Sequence, residues 1–151
     1  MDEHIEPLSA AECETVAEAL LELVRKYPEL KDVNAEYDAL GSSKSLAVFV
    51  AGGRSKKPDI LGGFYAEVNF SVGYKGYSKT SDQRINQQEF VGGIVRWLEN
   101  EKDLPILTDN RTITKITALG VPYKGETEKD GSITYYADAM MEYKKEEKDL
   151  F

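Results

Sequence analysis

The stretch FYAEVNFSVGYKG at residues 64–76, running on into SDQRINQQEFVGGIVRWLEN at 81–100, decides the fold. In its first half Phe64, Ala66, Val68, Phe70, Val72 and Tyr74 alternate with Tyr65, Glu67, Asn69, Ser71 and Gly73. That is the period of two of a strand with one buried face. In its second half Val91, Ile94, Val95 and Leu98 keep the spacing of one apolar helical stripe, widened by Phe90 and Trp97, while Asn86, Glu89, Arg96 and Asn100 take the other side. Thr80 and Gln83 stand at the Thr-x-x-Gln spacing of a capping box, with Asp82 adding negative charge to the first turn. A long strand feeding a wide-striped helix lays helix on sheet, and an α+β class follows.

Upstream, residues 1–8 read as a flexible arm. Ser9 then caps a helix, with Glu12 as its capping-box partner. Cys13, Val16, Ala17, Leu20, Leu23, Val24 and Tyr27 form its apolar stripe, Pro28 ends it, and Glu14, Glu18 and Glu22 mark a solvated face. Val33, Ala35 and Tyr37 alternate with polar residues as a short edge strand, and LAVFVA at 46–51 reads as a strand buried on both faces. The segment GGRSKKPDILGG at 52–63 is bracketed by glycine pairs and reads as a long loop. Its basic tip, Arg54, Lys56 and Lys57, is either a flexible hairpin end or a protruding partner-contact loop on an acidic protein.

Downstream, residues 102–105 are a linker and RTITKITAL at 111–119 is a strand that continues through Gly120, Val121 and Pro122, where either a bulge or an edge position is expected. Asp130-Gly131 signals a hairpin turn with both positions at positive φ. In the return strand Ile133, Tyr135, Ala137, Ala139, Met141 and Tyr143 share an uninterrupted apolar face. Tyr136, Asp138 and Met140 are left on the outer face as a candidate subunit interface, since interfaces enrich aromatic and Met side chains. The expected architecture is a mixed, largely antiparallel sheet packed against two helices, with a C-terminal β-hairpin. It forms a single domain at 9–144, between the arm and a charged tail at 145–151. Gly92-Gly93, in mid-helix, costs about 1 kcal/mol per glycine relative to alanine. Packing of Gly92 against the sheet, ahead of a close backbone approach at Gly93, is the expected compensation.

The chain has 151 residues, a net charge of −8, one cysteine and one histidine. Cys13 lies between two glutamates inside the first helix and reads as a small buried apolar residue rather than a reactive thiol. The first ten residues hold no apolar run, so neither a secretory signal nor a transit peptide is expected, nor any membrane span. His4 falls in the arm, away from any Ser-His or Cys-His arrangement, and the spacings of zinc and calcium sites are missing. The chain is expected to be no enzyme and to carry no catalytic residue, metal or cofactor.

The order helix, short strand, buried strand, glycine-bracketed loop, long strand, helix and closing hairpin resembles the tail terminator proteins of long-tailed bacteriophages and related tail-like particles, also described as minor capsid or tail completion proteins. FYAEVNFSVGYKGYS, SDQRINQQEFVGGIVRWLE, LPILTDNRTITKITALG and YYADAMMEYKK carry the likeness. The resemblance implies a virion protein, assembled in the host cytoplasm into a homo-oligomeric ring, commonly a hexamer. The ring would sit on the head-proximal end of the tail tube, stop the tube protein from polymerising and meet the head-tail connector, with DNA passing its lumen unbound. The alternatives from the residues alone are a small ligand- or peptide-binding module, regulatory or immunity-related, and an enzyme that uses only carboxylates and lysines.

Overall fold

The computed structural model describes residues 4–30, 34–37, 45–57, 63–100, 106–108 and 110–146. Its elements are β1 (His4–Pro7), α1 (Ala10–Val24), β2 (Asn34–Tyr37), β3 (Ser45–Lys57), β4 (Phe64–Gly76), α2 (Ser81–Asn100), β5 (Ile106–Thr108), β6 (Arg111–Thr127) and β7 (Ile133–Lys145). The strands form one seven-stranded sheet in the order β1-β3-β4-β7-β6-β5, with β2 also on β3. β1 pairs the second half of β3 and β2 the first, so both lie along the same edge. Only the β2–β3 pairing is parallel. The fold is α+β, with two helices on a mostly antiparallel sheet.

Alternation dictates the layers. Ala66, Val68, Phe70, Val72 and Tyr74 of β4 and the odd-numbered residues of β7 from Ile133 to Tyr143 are buried together with Val16, Leu20 and Val24 of α1 and Val91, Ile94 and Leu98 of α2. Both helices therefore cover one face of the sheet. Ser9 caps α1 by accepting the Glu12 N–H at 3.1 Å, but the Glu12 carboxylate does not return to the cap and goes to Arg111 and Tyr143 instead. At α2 the box closes both ways: Gln83 N–H donates to Thr80 Oγ1 at 3.2 Å, and Gln83 Oε1 accepts from Thr80 N–H at 3.2 Å and Lys79 N–H at 2.7 Å. A Cβ on Gly92 would come within 2.7 Å of Pro122 Cγ, so this glycine admits β6 against the helix, as expected. A Cβ on Gly93 would lie 2.9 Å from the Tyr27 hydroxyl, so a side chain rather than a second backbone uses that position.

Several expectations change. The arm is not free at 4–7, where it adds to the sheet as β1, and Leu8 N–H donates to the Gly53 carbonyl at 2.9 Å. The segment 52–57 is no loop. β3 runs through a bulge between Val50 and Gly52, where Gly52 takes φ +136°, and carries Arg54, Lys56 and Lys57 on a paired strand. β5 has no counterpart in the sequence reading. The β6–β7 turn is wider than a two-residue hairpin: Gly131 N–H donates to Glu128 O and Glu128 N–H to Ser132 O, with Gly131 at φ +87°. The bulge at 120–122 is present, with Gly120 at φ +74°. Lys145 belongs to β7 rather than the tail. The linker 102–105, Val33, residues 58–62 of the glycine-bracketed segment and the tail beyond 146 lie outside the described residues.

Candidate assembly interface

The sheet face turned away from the helices is set by the register. Phe49, Ser71, Asp138 and Leu119 form one row across β3, β4, β7 and β6, and Arg54, Glu67, Glu142 and Lys115 form another. Neither helix reaches this face. Tyr136 lies flat on it: a Cβ on Gly73 would be 3.0 Å from its Cε1, and a Cβ on Gly125 2.5 Å from its Cε2. Glycines inside strands weaken them unless something approaches closely, and here the two glycines make the bed for one ring. Phe49 flanks the ring at 6.1 Å between centroids, and Tyr123 stacks on it at 5.7 Å and 27°.

Asp138, in the next row, accepts hydrogen bonds from Ser71 Oγ at 2.6 Å and the Tyr123 hydroxyl at 3.0 Å. Burial, then the Asp138 carboxylate, pushes the Tyr123 hydroxyl above its ordinary pKa. Tyr136 and Asp138 are thus joined through Tyr123, which stacks on the one and donates to the other. Met140 sits one row further, opposite Asn69 and Thr117, and is half-buried. Phe49 and Tyr123 escaped the sequence reading, and the in-strand glycines Gly73 and Gly125 were the signal that a ring lies across them. One consequence separates Tyr136 from Met140. Tyr136→Asp lowers stability by about 2 kcal/mol, because it strips a packed aromatic from its bed, whereas Met140→Lys stays within about 0.5 kcal/mol. Urea midpoints of the two variants measure the contrast.

The basic cluster does not protrude. Arg54 Nε and Nη2 both lie 2.9 Å from Glu67 Oε2, an exposed pair worth little in stability. Lys56 projects on the same side, one strand residue after Ser55, and Lys57 is the last residue of β3. An open cavity of about 340 Å³ lies here, with Ile5, Arg54, Lys56, Tyr65, Glu67 and Glu142 among its lining. Lys144 Nζ stands 5.9 Å from the Tyr65 ring. The positive charges are therefore interleaved with Glu67 and Glu142 at one end of the sheet.

Among the described residues no three His, Cys, Asp or Glu side chains group to hold a metal ion, and no helix is long and apolar enough to cross a membrane. No protein-family model matches the chain, and no curated protein matches it significantly.

Proposed function

We propose that this chain is a structural protein of a phage-type tail, a terminator that assembles as a ring on the head-proximal end of the tail tube. The open sheet face carries the reading. A seven-stranded sheet with helices on one side only, bearing Phe49, Tyr123, Tyr136 and Met140 on the other, leaves an aromatic surface for a neighbouring component to cover. The net charge of −8 supports it, since a lumen that repels phosphate lets DNA slide. The tube protein and the head-tail connector are the partners this reading gives the ring, and it requires no turnover and no cofactor. The open cavity beside Tyr65, lined by Arg54 and Lys56 together with Glu67 and Glu142, favours the alternative, a module that binds a small ligand or peptide.

Sedimentation velocity of the purified chain separates the two. The terminator reading expects a single ring-sized species with a central hole by negative-stain microscopy. A monomer at the highest soluble concentration overturns it.

A further inference from the structure

Asp138 carries a negative charge on the open sheet face with no cation beside it. Its row and the two flanking rows, which run through Tyr136 and through Met140, hold no lysine or arginine on β3, β4, β7 or β6. Both of its hydrogen bonds, from Ser71 and Tyr123, arrive at Oδ1, and among the described residues Oδ2 accepts none. Two donors thus fix the carboxylate in place and leave one oxygen open. Tyr123 reaches it because of a bulge. Leu119 pairs with Asp138 and Tyr123 with Tyr136, so residues 120–122 face Ala137 alone and two residues are extra. Without them Val121 would stand opposite Tyr136. With them a third ring joins Phe49 and Tyr136, and its hydroxyl turns to the carboxylate.

Three rings and a carboxylate on one surface attract the same sign of charge. The faces of aromatic rings are negative and hold cations, and the open Asp138 oxygen adds a full charge beside them. Phe49 and Tyr136 are half-buried and Tyr123 is exposed, so π surface is available from the solvent side. A guanidinium fits best: its plane stacks on a ring while its fork of N–H donors meets a carboxylate. A lysine ammonium is more strongly hydrated and has no plane to stack. A protein that covers this face also strips water from Asp138, and a desolvated carboxylate without a cation is strongly unfavourable. The cover must therefore bring a cation to this spot. A net charge of −8 favours a basic partner at long range as well.

We propose that Asp138, with Phe49, Tyr123 and Tyr136, is a receptor for an arginine side chain of the partner protein that covers the open sheet face. The partner rests on the reading of this face as an assembly surface, while the choice of arginine rests on the site alone. A second copy is the poorer source of that arginine. Arg25, Arg54 and Arg111 are held by Glu22, Glu67 and Glu12, and Arg84 by the Lys79 carbonyl and Ser81. Arg96 lies back along α2, with Nη1 3.2 Å from where a Cβ on Gly92 would stand. The arginine is assigned to a different chain.

The test titrates the full-length chain with N-acetyl-arginine amide and, at the same ionic strength, with N-acetyl-lysine amide, following backbone amide shifts by NMR. The arginine probe is expected to give saturable shifts at Phe49, Ser71, Tyr123, Tyr136 and Asp138, and the lysine probe to bind more weakly. Asp138→Asn keeps an oxygen for Ser71 and Tyr123 and is expected to weaken the arginine probe about tenfold. Phe49→Leu removes one ring and is expected to weaken it about two- to fivefold. Circular dichroism melts establish that each variant folds, and either one serves should the other not. Shifts that do not saturate, a lysine probe that binds as tightly, or variants that bind as the wild type does overturn the receptor. Sedimentation then separates the partners. Asp138→Asn is expected to keep the assembly state of the wild type, and rings lost in that variant alone would give the arginine to a second copy and overturn its assignment to a different chain. A wild-type chain that stays a monomer but still shows the saturable arginine shifts overturns the ring reading and leaves the receptor standing.

Discussion

Glu12→Ala lowers the unfolding free energy by about 3–5 kcal/mol, the cost of leaving a buried charge without its partner. Glu12 stands in the first turn of α1, where its carboxylate takes Arg111 Nη2 on Oε1 at 2.6 Å and Arg111 Nε on Oε2 at 2.7 Å. The Tyr143 hydroxyl donates to the same Oε2 at 2.6 Å, and Lys145 Nζ lies 3.7 Å from Oε1. The side chains of Glu12 and Arg111 are only 10 % and 11 % exposed. The cluster pins the start of α1 to the start of β6 and the end of β7, so its loss frees a whole helix end rather than one contact. Replacing both charges, with Glu12→Leu and Arg111→Met, is expected to recover most of the loss, since an apolar pair avoids the desolvation that the ions suffer.

The same cluster sets a pH dependence. Burial pushes the Glu12 carboxyl up, but the hydrogen bonds from Arg111 and Tyr143 and the charges of Arg111 and Lys145 outweigh it and hold Glu12 below its ordinary 4.5. A carboxylate depressed in the folded state contributes stability above its unfolded pKa and loses it as pH falls through the folded value. Burial first, then Glu12, pushes the Tyr143 hydroxyl well above its ordinary 10.0, so that contribution is complete below 10.0 and is lost as pH rises through the folded value. Urea denaturation across pH should show an acid limb in the wild type that Glu12→Gln flattens. An unchanged acid limb, or a Glu12→Ala midpoint near the wild-type value, would show that the cluster holds nothing.

How much of this was legible in the sequence depended on the range of each interaction. β4 and α2 were readable because a strand with one buried face and a helix with one buried stripe write their periods locally, and the Thr80–Gln83 box closed as spaced. The Ser9–Glu12 spacing was equally good, yet Arg111, 99 positions away, took the carboxylate, and no local pattern carries that information. β1 and β5 are four and three residues long, too short for a period to register.

The glycine pair at 52–53 misled for a physical reason. Glycines mark turns because they tolerate positive φ, and Gly52 uses that freedom for a bulge inside β3. Gly53 is needed for a different cause: a Cβ there would overlap the Glu67 carbonyl on the neighbouring strand. The charges that followed belonged to a sheet face rather than a loop tip. At Tyr136 the alternation correctly placed the ring on the outer face. It could not reveal that Gly73 and Gly125, from two other strands, lie beneath it.

Gln87→Leu is expected to cost about 2–5 kcal/mol, because it strands two buried carbonyl groups at once. Gln87 is 4 % exposed on the sheet side of α2. Its Nε2 donates to the Tyr74 carbonyl of β4 at 2.8 Å and to the Ile133 carbonyl of β7 at 2.6 Å, while its Oε1 accepts from Ser78 Oγ at 2.7 Å. Gly76 makes the approach possible, since a Cβ there would stand 3.3 Å from the Gln87 amide carbon. One amide thus closes the end of the β4–β7 ladder, where Gly76 faces Ile133, and ties it to the helix. Leucine keeps the volume and removes both donors, so the loss measures hydrogen bonding more than packing. Gln87→Glu should cost still more at neutral pH, where a carboxylate would face two carbonyl oxygens, and should regain stability on acidification as the group protonates and can donate once. Native-state hydrogen exchange should localise the damage to the first turns of α2 and the neighbouring ends of β4 and β7, with the Glu12 end protected as before. A Leu variant within about 0.5 kcal/mol of wild type, the range of an ordinary surface change, would mean that water or a backbone shift satisfies both carbonyls.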